Sequence, residues 1–214
     1  MNEHPILDGL RLGLEVISAL VGLIYLFKLR KSYWKWFSIY LIFIVLQEII
    51  WLGKRSFLGL IDRDYFAYVG IPIQFLFFYW LYAYKSLKLK KIFWIFSFVY
   101  LVNLPLKLFI EENDQVYSIN VGVGTILLSI LVILEFFKQI KNENILQFWQ
   151  NKMFYINVGV ILYYIGTLPF QVFFDYLKDN NKTILDYYYV YFLIANCFMY
   201  LLFSISFLCG NQKS

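Results

Sequence analysis

The sequence has few of the residues that bind metals or form disulfides. Histidine occurs once, in the N-terminal tail, and both cysteines, Cys197 and Cys209, fall on the last apolar stretch. A zinc site needs several Cys and His ligands at suitable spacing. The last apolar stretch also has no lysine for a retinal Schiff base. The sequence therefore predicts no metal site, no disulfide and no cofactor.

Charged residues are also scarce. They make up 15% of the chain and hydrophobic residues 61%, against about 25% and about 45 to 50% in an ordinary soluble domain. The longest polar intervals are too short for a domain outside the membrane, which needs at least about 50 residues. We therefore expect residues 1–214 to form a single transmembrane domain whose outer solvent is the lipid bilayer.

Seven mostly apolar stretches account for most of the chain. Each is long enough to cross a bilayer as a helix, which takes about 20 residues. They lie at about 9–29, 34–53, 66–84, 91–110, 117–137, 152–174 and 187–209. The N-terminus lacks the basic region and cleavage site of a secretory signal, so we expect the first stretch to remain in the membrane. The predicted fold is all-α, a polytopic membrane bundle of seven transmembrane helices.

The basic residues predict the orientation of the bundle. Twelve Lys and Arg residues belong to the odd-numbered loops and the C-terminal tail, and seven to the opposite side. By the positive-inside rule the N-terminus is outside and the C-terminus is in the cytoplasm. The basic residues follow helix ends instead of forming one groove-sized face, which argues against binding of nucleic acid.

Small residues on the first predicted helix are spaced for close packing. Gly9 and Gly13, then Ser18 and Gly22, are each four residues apart and so share a helix face. Helices in lipid associate through such faces, because van der Waals packing replaces the hydrophobic effect there. We expect contacts with neighbouring helices of the same chain here in preference to a dimer.

Polar residues inside the predicted helices give the best indication of function. Such groups are costly in lipid unless they are paired or face water. Eight of them fall at similar depth in the outer half of the bundle: Glu15, Gln47, Glu48, Gln74, Asn103, Lys107, Asn120 and Gln171. Pro72, Pro105 and Pro169 also fall there and free backbone carbonyls. We interpret the set as a ligand-binding cavity that opens outward and admits a small molecule or a lipid.

Lys107 needs an anionic partner or a route to water. It shares a helix face with Asn103, four residues earlier, and Glu48 or Glu15 is its expected partner. The alternative is that Lys107 and the two glutamates reach the membrane surface, while the amides bond between helices for about 0.6 kcal/mol each. Near the inner membrane boundary, Glu135 is expected to form an ion pair with Lys138.

Two segments of the second half resemble a family of uncharacterised bacterial seven-helix membrane proteins. They are the stretches from Gly124-Thr-Ile-Leu-Leu-Ser to Leu134-Glu135-Phe-Phe and from Phe154-Tyr-Ile-Asn157-Val-Gly159 to Tyr164-Ile-Gly166-Thr167. Members of this family are often encoded near sensor histidine kinases. The resemblance implies the bacterial inner membrane, a signal-input role and a cytoplasmic signalling partner such as a histidine kinase.

These observations favour a sensory or signal-input module over two other functions. A transporter of small solutes or ions is the alternative. A solute would need polar residues along its whole route across the membrane, and the inner half of the predicted bundle has few of them. An intramembrane enzyme would need converging catalytic groups, and Glu15 and Glu48 are the only candidate acid pair, with no histidine beside them. We therefore expect that the protein is not an enzyme.

Overall fold

The computed structural model describes residues 4–52, 65–105, 113–141 and 150–209, and within these ranges the chain is helical and contains no strand. The α-helices are α1 (Pro5–Leu26), α2 (Lys35–Leu52), α3 (Ile71–Tyr79), α4 (Lys90–Val102), α5 (Asn113–Lys141), α6 (Lys152–Val160), α7 (Leu168–Val172), α8 (Phe174–Asn180) and α9 (Lys182–Cys209). The π-helical turns are Phe66–Gly70 and Trp80–Ser86, on either side of α3, and Ile161–Ile165, after α6. The predicted all-α fold is confirmed in these ranges.

Four segments of the described ranges are long and apolar enough to cross a membrane. They are Pro5–Leu26, Ser118–Lys141, Lys152–Val172 and Lys182–Leu208, and they fall on four of the seven predicted crossings. Large apolar side chains also cover the outside of the bundle; that of Phe98, for example, is 69% exposed. Water does not tolerate an outer surface of this kind, whereas lipid does.

The helices run up and down: α1 is antiparallel to α2 and parallel to α9, and α6 is antiparallel to α9. α1 packs against α2 and α9, and α9 also packs against α6. We call the two ends of the bundle the Pro5 end and the Leu26 end, after the first and last residues of α1. At the Pro5 end the Tyr189 hydroxyl of α9 meets Asp8, and towards the Leu26 end Tyr25 meets Phe207.

Close packing on α1 is confined to its second half. A methyl group built on Gly22 would lie 3.4 Å from the backbone of Ser38 on α2, and Ser18 is fully buried. At Gly9 and Gly13 no atom lies within 4 Å of such a group. The predicted close contact is therefore confirmed at Gly22 and wrong at Gly9 and Gly13, because α1 approaches its neighbours most closely towards the Leu26 end.

α4 ends at Val102, inside the predicted fourth crossing of 91–110. Residues 103–105 leave the α-helix, and the predicted residues 106–110 lie outside the described residues. Pro105 has no N–H for the helical ladder and disfavours the helical conformation of the residue before it. The Asn103 amide donates to the Val99 carbonyl at 2.6 Å, which satisfies one of the carbonyl groups left free at the helix end.

Aromatic rings fill the core between the middle of the bundle and its Leu26 end. We call them the aromatic layer, which consists of Phe37, Phe77, Phe78, Phe203 and Phe207. The Phe37 ring lies 5.2 Å from that of Phe203 and 5.6 Å from that of Phe207, and all three side chains are buried. Contacts of this kind between aromatic rings are favourable and stabilise the bundle.

Candidate functional site

A cavity of about 410 Å³ lies between α1, α2, α3, α9 and the helical segment 152–172, and α5 contributes Val121 to its wall. It begins near Asp8 and Gln171 at the Pro5 end and reaches Tyr40 and Tyr200, next to the aromatic layer. A volume of this size is typical of small-molecule sites, which range from about 300 to 1,000 Å³. Its lining is unusually polar for a space inside a bundle of membrane helices.

The charged groups of the cavity centre on Arg11. Its Nη2 atom donates to Glu48 Oε1 at 2.6 Å, and its Nη1 atom lies 3.8 Å from Glu15 Oε2. Arg11 and Glu15 are four residues apart on α1 and therefore share a face, while Glu48 comes from α2. The guanidinium thus links the first two helices and balances part of the carboxylate charge.

A third acid stands nearer the Pro5 end of the cavity. Asp8 Oδ1 accepts a hydrogen bond of 3.3 Å from the Tyr189 hydroxyl of α9. With Glu15 and Glu48 it gives three carboxylates against the single guanidinium of Arg11 in the cavity lining. The described residues contain no group of three or more His, Cys, Asp or Glu that would hold a metal ion.

Three glutamine side chains are fixed by neighbouring hydroxyl groups. Gln47 Nε2 donates to the Tyr65 hydroxyl at 3.0 Å, and Gln171 Nε2 donates to Thr167 Oγ1 at 3.0 Å. Gln74 Oε1 accepts from the Tyr164 hydroxyl at 3.1 Å. The first two bonds use the amide nitrogens, so the amide oxygens of Gln47 and Gln171 are left for another donor.

Four buried oxygen atoms of the lining have no hydrogen-bond partner among the described residues. They are Glu15 Oε1, Gln47 Oε1, Gln171 Oε1 and Asn196 Oδ1. Leaving a buried polar group unsatisfied costs about 1 to 3 kcal/mol. All four atoms are acceptors, so the cavity is arranged to receive donors from water or from a ligand.

The π-helical turn Ile161–Ile165 places two adjacent tyrosines in the cavity wall. In this turn the Gly166 N–H bonds to the Ile161 carbonyl at 2.9 Å, one residue further back than in an α-helix. The wider turn lets both Tyr163 and Tyr164 line the cavity. π-Helical turns are rare and frequently mark functional sites.

Five of the eight residues predicted from the sequence line the cavity: Glu15, Gln47, Glu48, Gln74 and Gln171. Asn120 is buried on α5 but does not belong to the lining, and neither of its amide atoms has a partner among the described residues. Asn103 does not belong to the lining either, and its amide caps the end of α4. Lys107 lies outside the described residues.

The sequence interpretation missed several lining residues. Asp8 and Asn196 were not among the predicted site residues, and Arg11 was counted only among the seven basic residues on the side opposite the cytoplasm. Tyr163 and Tyr189 were not singled out, since aromatic residues are frequent throughout the chain. The spacing of Arg11 and Glu15, four residues apart with opposite charge, is the signal that identifies the site.

A second buried polar cluster lies at the Leu26 end. Glu135 is 1% exposed and accepts from the Ser86 hydroxyl at 2.7 Å. Lys138 Nζ donates to the Ser86 carbonyl at 2.7 Å and lies 3.7 Å from Glu135 Oε1. The predicted pairing of Glu135 with Lys138 is present, and Ser86 joins it to the turn Trp80–Ser86.

Comparisons with protein-family models, curated proteins and solved structures show no match to this chain.

Proposed function

We propose that the chain is a seven-helix protein of the bacterial inner membrane that receives a small solute in its polar cavity and passes the signal to a cytoplasmic protein. The observation that carries the proposal is a polar cavity with unsatisfied buried oxygens, next to a layer of aromatic rings. An open pore needs a continuous wet path, which the packed rings of Phe37 and Phe203 interrupt. Binding without passage is the function that this arrangement supports best.

The cavity is well placed to couple an occupant to helix packing. Its polar side chains belong to different helices: Arg11 and Glu15 to α1, Glu48 to α2, and Asn196 to α9. A solute that touches all three helices favours the packing in which its contacts are best. Such a difference in affinity between two packings is the physical requirement for signalling.

The charges at the Leu26 end support the proposed orientation. Lys31, Lys88 and Lys91 are among the exposed basic residues there, and the positive-inside rule places such residues in the cytoplasm. The cavity then opens outward. A histidine kinase is the proposed partner at the cytoplasmic end, in keeping with the family resemblance of α5 and of the segment 152–172.

Cysteine labelling in intact cells tests the cavity and its side of the membrane. Gln171→Cys, in a chain whose natural Cys197 and Cys209 are replaced by alanine, is treated with a membrane-impermeant maleimide from outside. We expect rapid labelling at position 171. Ser97→Cys is the matched control, because Ser97 is buried on α4 away from the cavity, and it should not react. Equal labelling of the two positions contradicts an outward cavity.

The labelled protein also tests signalling. A maleimide adduct at position 171 occupies the cavity permanently, so it should change helix packing at the far end. We expect altered hydrogen–deuterium exchange in segment 85–91 of labelled Gln171→Cys protein and no change in the Ser97→Cys control. Unchanged exchange after complete labelling would rule out coupling between the two ends while leaving solute binding intact.

Transport is the second candidate, and one observation favours it. Buried polar side chains also occur beyond the aromatic layer, where Glu135, Ser86 and Asn157 lie towards the Leu26 end. A transporter that alternates between two helix packings would expose the cavity residues in one packing and these buried residues in the other. Uptake of a solute into proteoliposomes, lost in Glu48→Gln and retained in Asn120→Leu, would establish transport in place of signalling.

A further inference from the structure

We infer that the cavity takes a small organic cation with N–H donors, such as a protonated amine. The inference rests on the proposed function, since it names the class of solute that the same cavity receives. Charge balance, unsatisfied oxygen atoms and aromatic walls point to this class.

The charge of the lining is negative. Asp8, Glu15 and Glu48 supply three carboxylates, and Arg11 supplies the one guanidinium of the described lining. Arg11 is already engaged by both glutamates, at 2.6 Å and 3.8 Å. Its charge is therefore neutralised within the site, and the remaining carboxylate charge attracts a cation and repels an anion.

The free hydrogen-bonding atoms are acceptors. Glu15 and Gln47 are each 3% exposed and Asn196 is 4% exposed, and each side chain carries an oxygen without a partner among the described residues. An ammonium group has three N–H donors and no acceptor, which complements such a set. A carboxylate or phosphate ligand would leave these oxygens unsatisfied and place like charges together.

The aromatic lining distinguishes an organic cation from a bare metal ion. Tyr40, Tyr164 and Tyr200 belong to the cavity lining near the aromatic layer. Cations bind favourably over such rings. A space of about 410 Å³ also exceeds what one ion requires and accommodates an apolar group beside the ammonium.

Calorimetric titration of the full chain in lipid nanodiscs tests the inference with three probes of one shape. Phenethylammonium carries the charge and N–H donors, 2-phenylethanol is neutral, and phenylacetate is an anion. We expect phenethylammonium to bind about tenfold more tightly than 2-phenylethanol and phenylacetate to show no binding. Equal or tighter binding of phenylacetate or 2-phenylethanol, or no binding of phenethylammonium, overturns the inference.

Two substitutions of one residue show whether the probe binds in this cavity. Asn196→Leu removes an unsatisfied oxygen and should weaken phenethylammonium binding about tenfold. Asn196→Asp adds a carboxylate of the same shape and should strengthen it. Asn120→Leu is the control, because Asn120 is an equally buried amide outside the lining, and it should leave the affinity unchanged. Equal effects at positions 120 and 196, or weaker binding in Asn196→Asp, contradict the assignment.

Failure of this inference differs from failure of the proposed function. If phenylacetate or 2-phenylethanol binds best and Asn196→Leu abolishes that binding, the class of solute is wrong but the cavity still receives solutes. If Gln171→Cys is not labelled from outside, the proposed function itself fails. The two experiments use different readouts, so each result is assigned to one proposal.

Discussion

The rings of Tyr40 and Phe77 stack face to face, with centroids 4.2 Å apart and planes inclined by 2°. Tyr40 lines the polar cavity, and both residues line a groove of about 620 Å³ on the other side, together with Trp36 and Trp80. The stacked pair is therefore a partition between the cavity and an apolar groove at the surface of the bundle. One side of the pair borders the polar cavity, and the other side borders the apolar groove.

Phe77→Leu tests how much the stacked pair stabilises the bundle. The substitution keeps an apolar side chain against Tyr40 but removes the ring contact, which contributes about 0.5 to 1.5 kcal/mol. We expect the free energy of unfolding to fall by about 1 kcal/mol, measured by titration with sodium dodecyl sulfate in mixed micelles. Phe98→Leu is the control, since Phe98 is exposed on the outside of α4; an equal loss there would refute a specific role for the stack.

Arg11→Met tests the charged centre of the cavity. Removal of the guanidinium leaves Glu15 and Glu48 without their cation. The Arg11–Glu48 pair is partly exposed, so its loss should cost less than that of a fully buried pair, which is about 3 to 5 kcal/mol. We expect a loss of about 1 to 3 kcal/mol in the same unfolding titration. The double variant Arg11→Met/Glu48→Gln should recover part of it, because the second change removes one unpaired carboxylate. Strictly additive losses would mean that the two side chains do not interact.

Gly124→Ala tests a close approach between α5 and α3. A methyl group at this position would lie 2.5 to 2.7 Å from three ring atoms of Phe75, and the Gly124 carbonyl accepts from the Tyr79 hydroxyl at 2.9 Å. Phe75 is buried and cannot move freely, so we expect a loss of about 1 to 3 kcal/mol. Gly13→Ala should be neutral or stabilising by up to about 1 kcal/mol, since space is open there. Loss of stability in Gly13→Ala alone would contradict this packing.

Lys138→Met tests the buried cluster at the Leu26 end. It removes the ammonium group beside Glu135 and a donor to the Ser86 carbonyl. Unfolding should become easier by about 1 to 3 kcal/mol, because a buried acceptor and a buried acid lose their partner. Lys141→Met, one turn further along α5 and exposed, should change stability by less than about 0.5 kcal/mol. Similar effects of the two substitutions would count against the cluster.

The helices were predictable because lipid constrains them strongly. Every backbone group must bond within its own helix in the bilayer, so long apolar stretches identify helices with little ambiguity. The end of α4 at Val102 was not predicted, although Pro105 marks it. A proline interrupts some membrane helices and terminates others, and the outcome depends on whether neighbours satisfy the freed carbonyl groups.

The cavity was predictable only in part. The depth of a residue in the bundle is easier to infer from sequence than the side of the helix on which it lies. Glu15, Glu48 and Gln171 were expected at one level of the bundle, and the structure brings them to one space. Asn120 lies at a comparable depth on α5 but is packed away from that space. Which way a residue faces depends on helix rotation, and the apolar stretches of this chain have little amphipathic pattern to fix it.

The salt bridge between Arg11 and Glu48 has a consequence for how the chain enters the membrane. In the proposed seven-helix topology, each residue alone opposes insertion of its helix, because a charged side chain is costly in lipid. α1 and α2 are consecutive and antiparallel, so they can partition together as a helical hairpin whose charges are neutralised in advance. Substitution of Arg11 or Glu48 alone should therefore impair membrane insertion of α1, before any effect on the folded protein is seen.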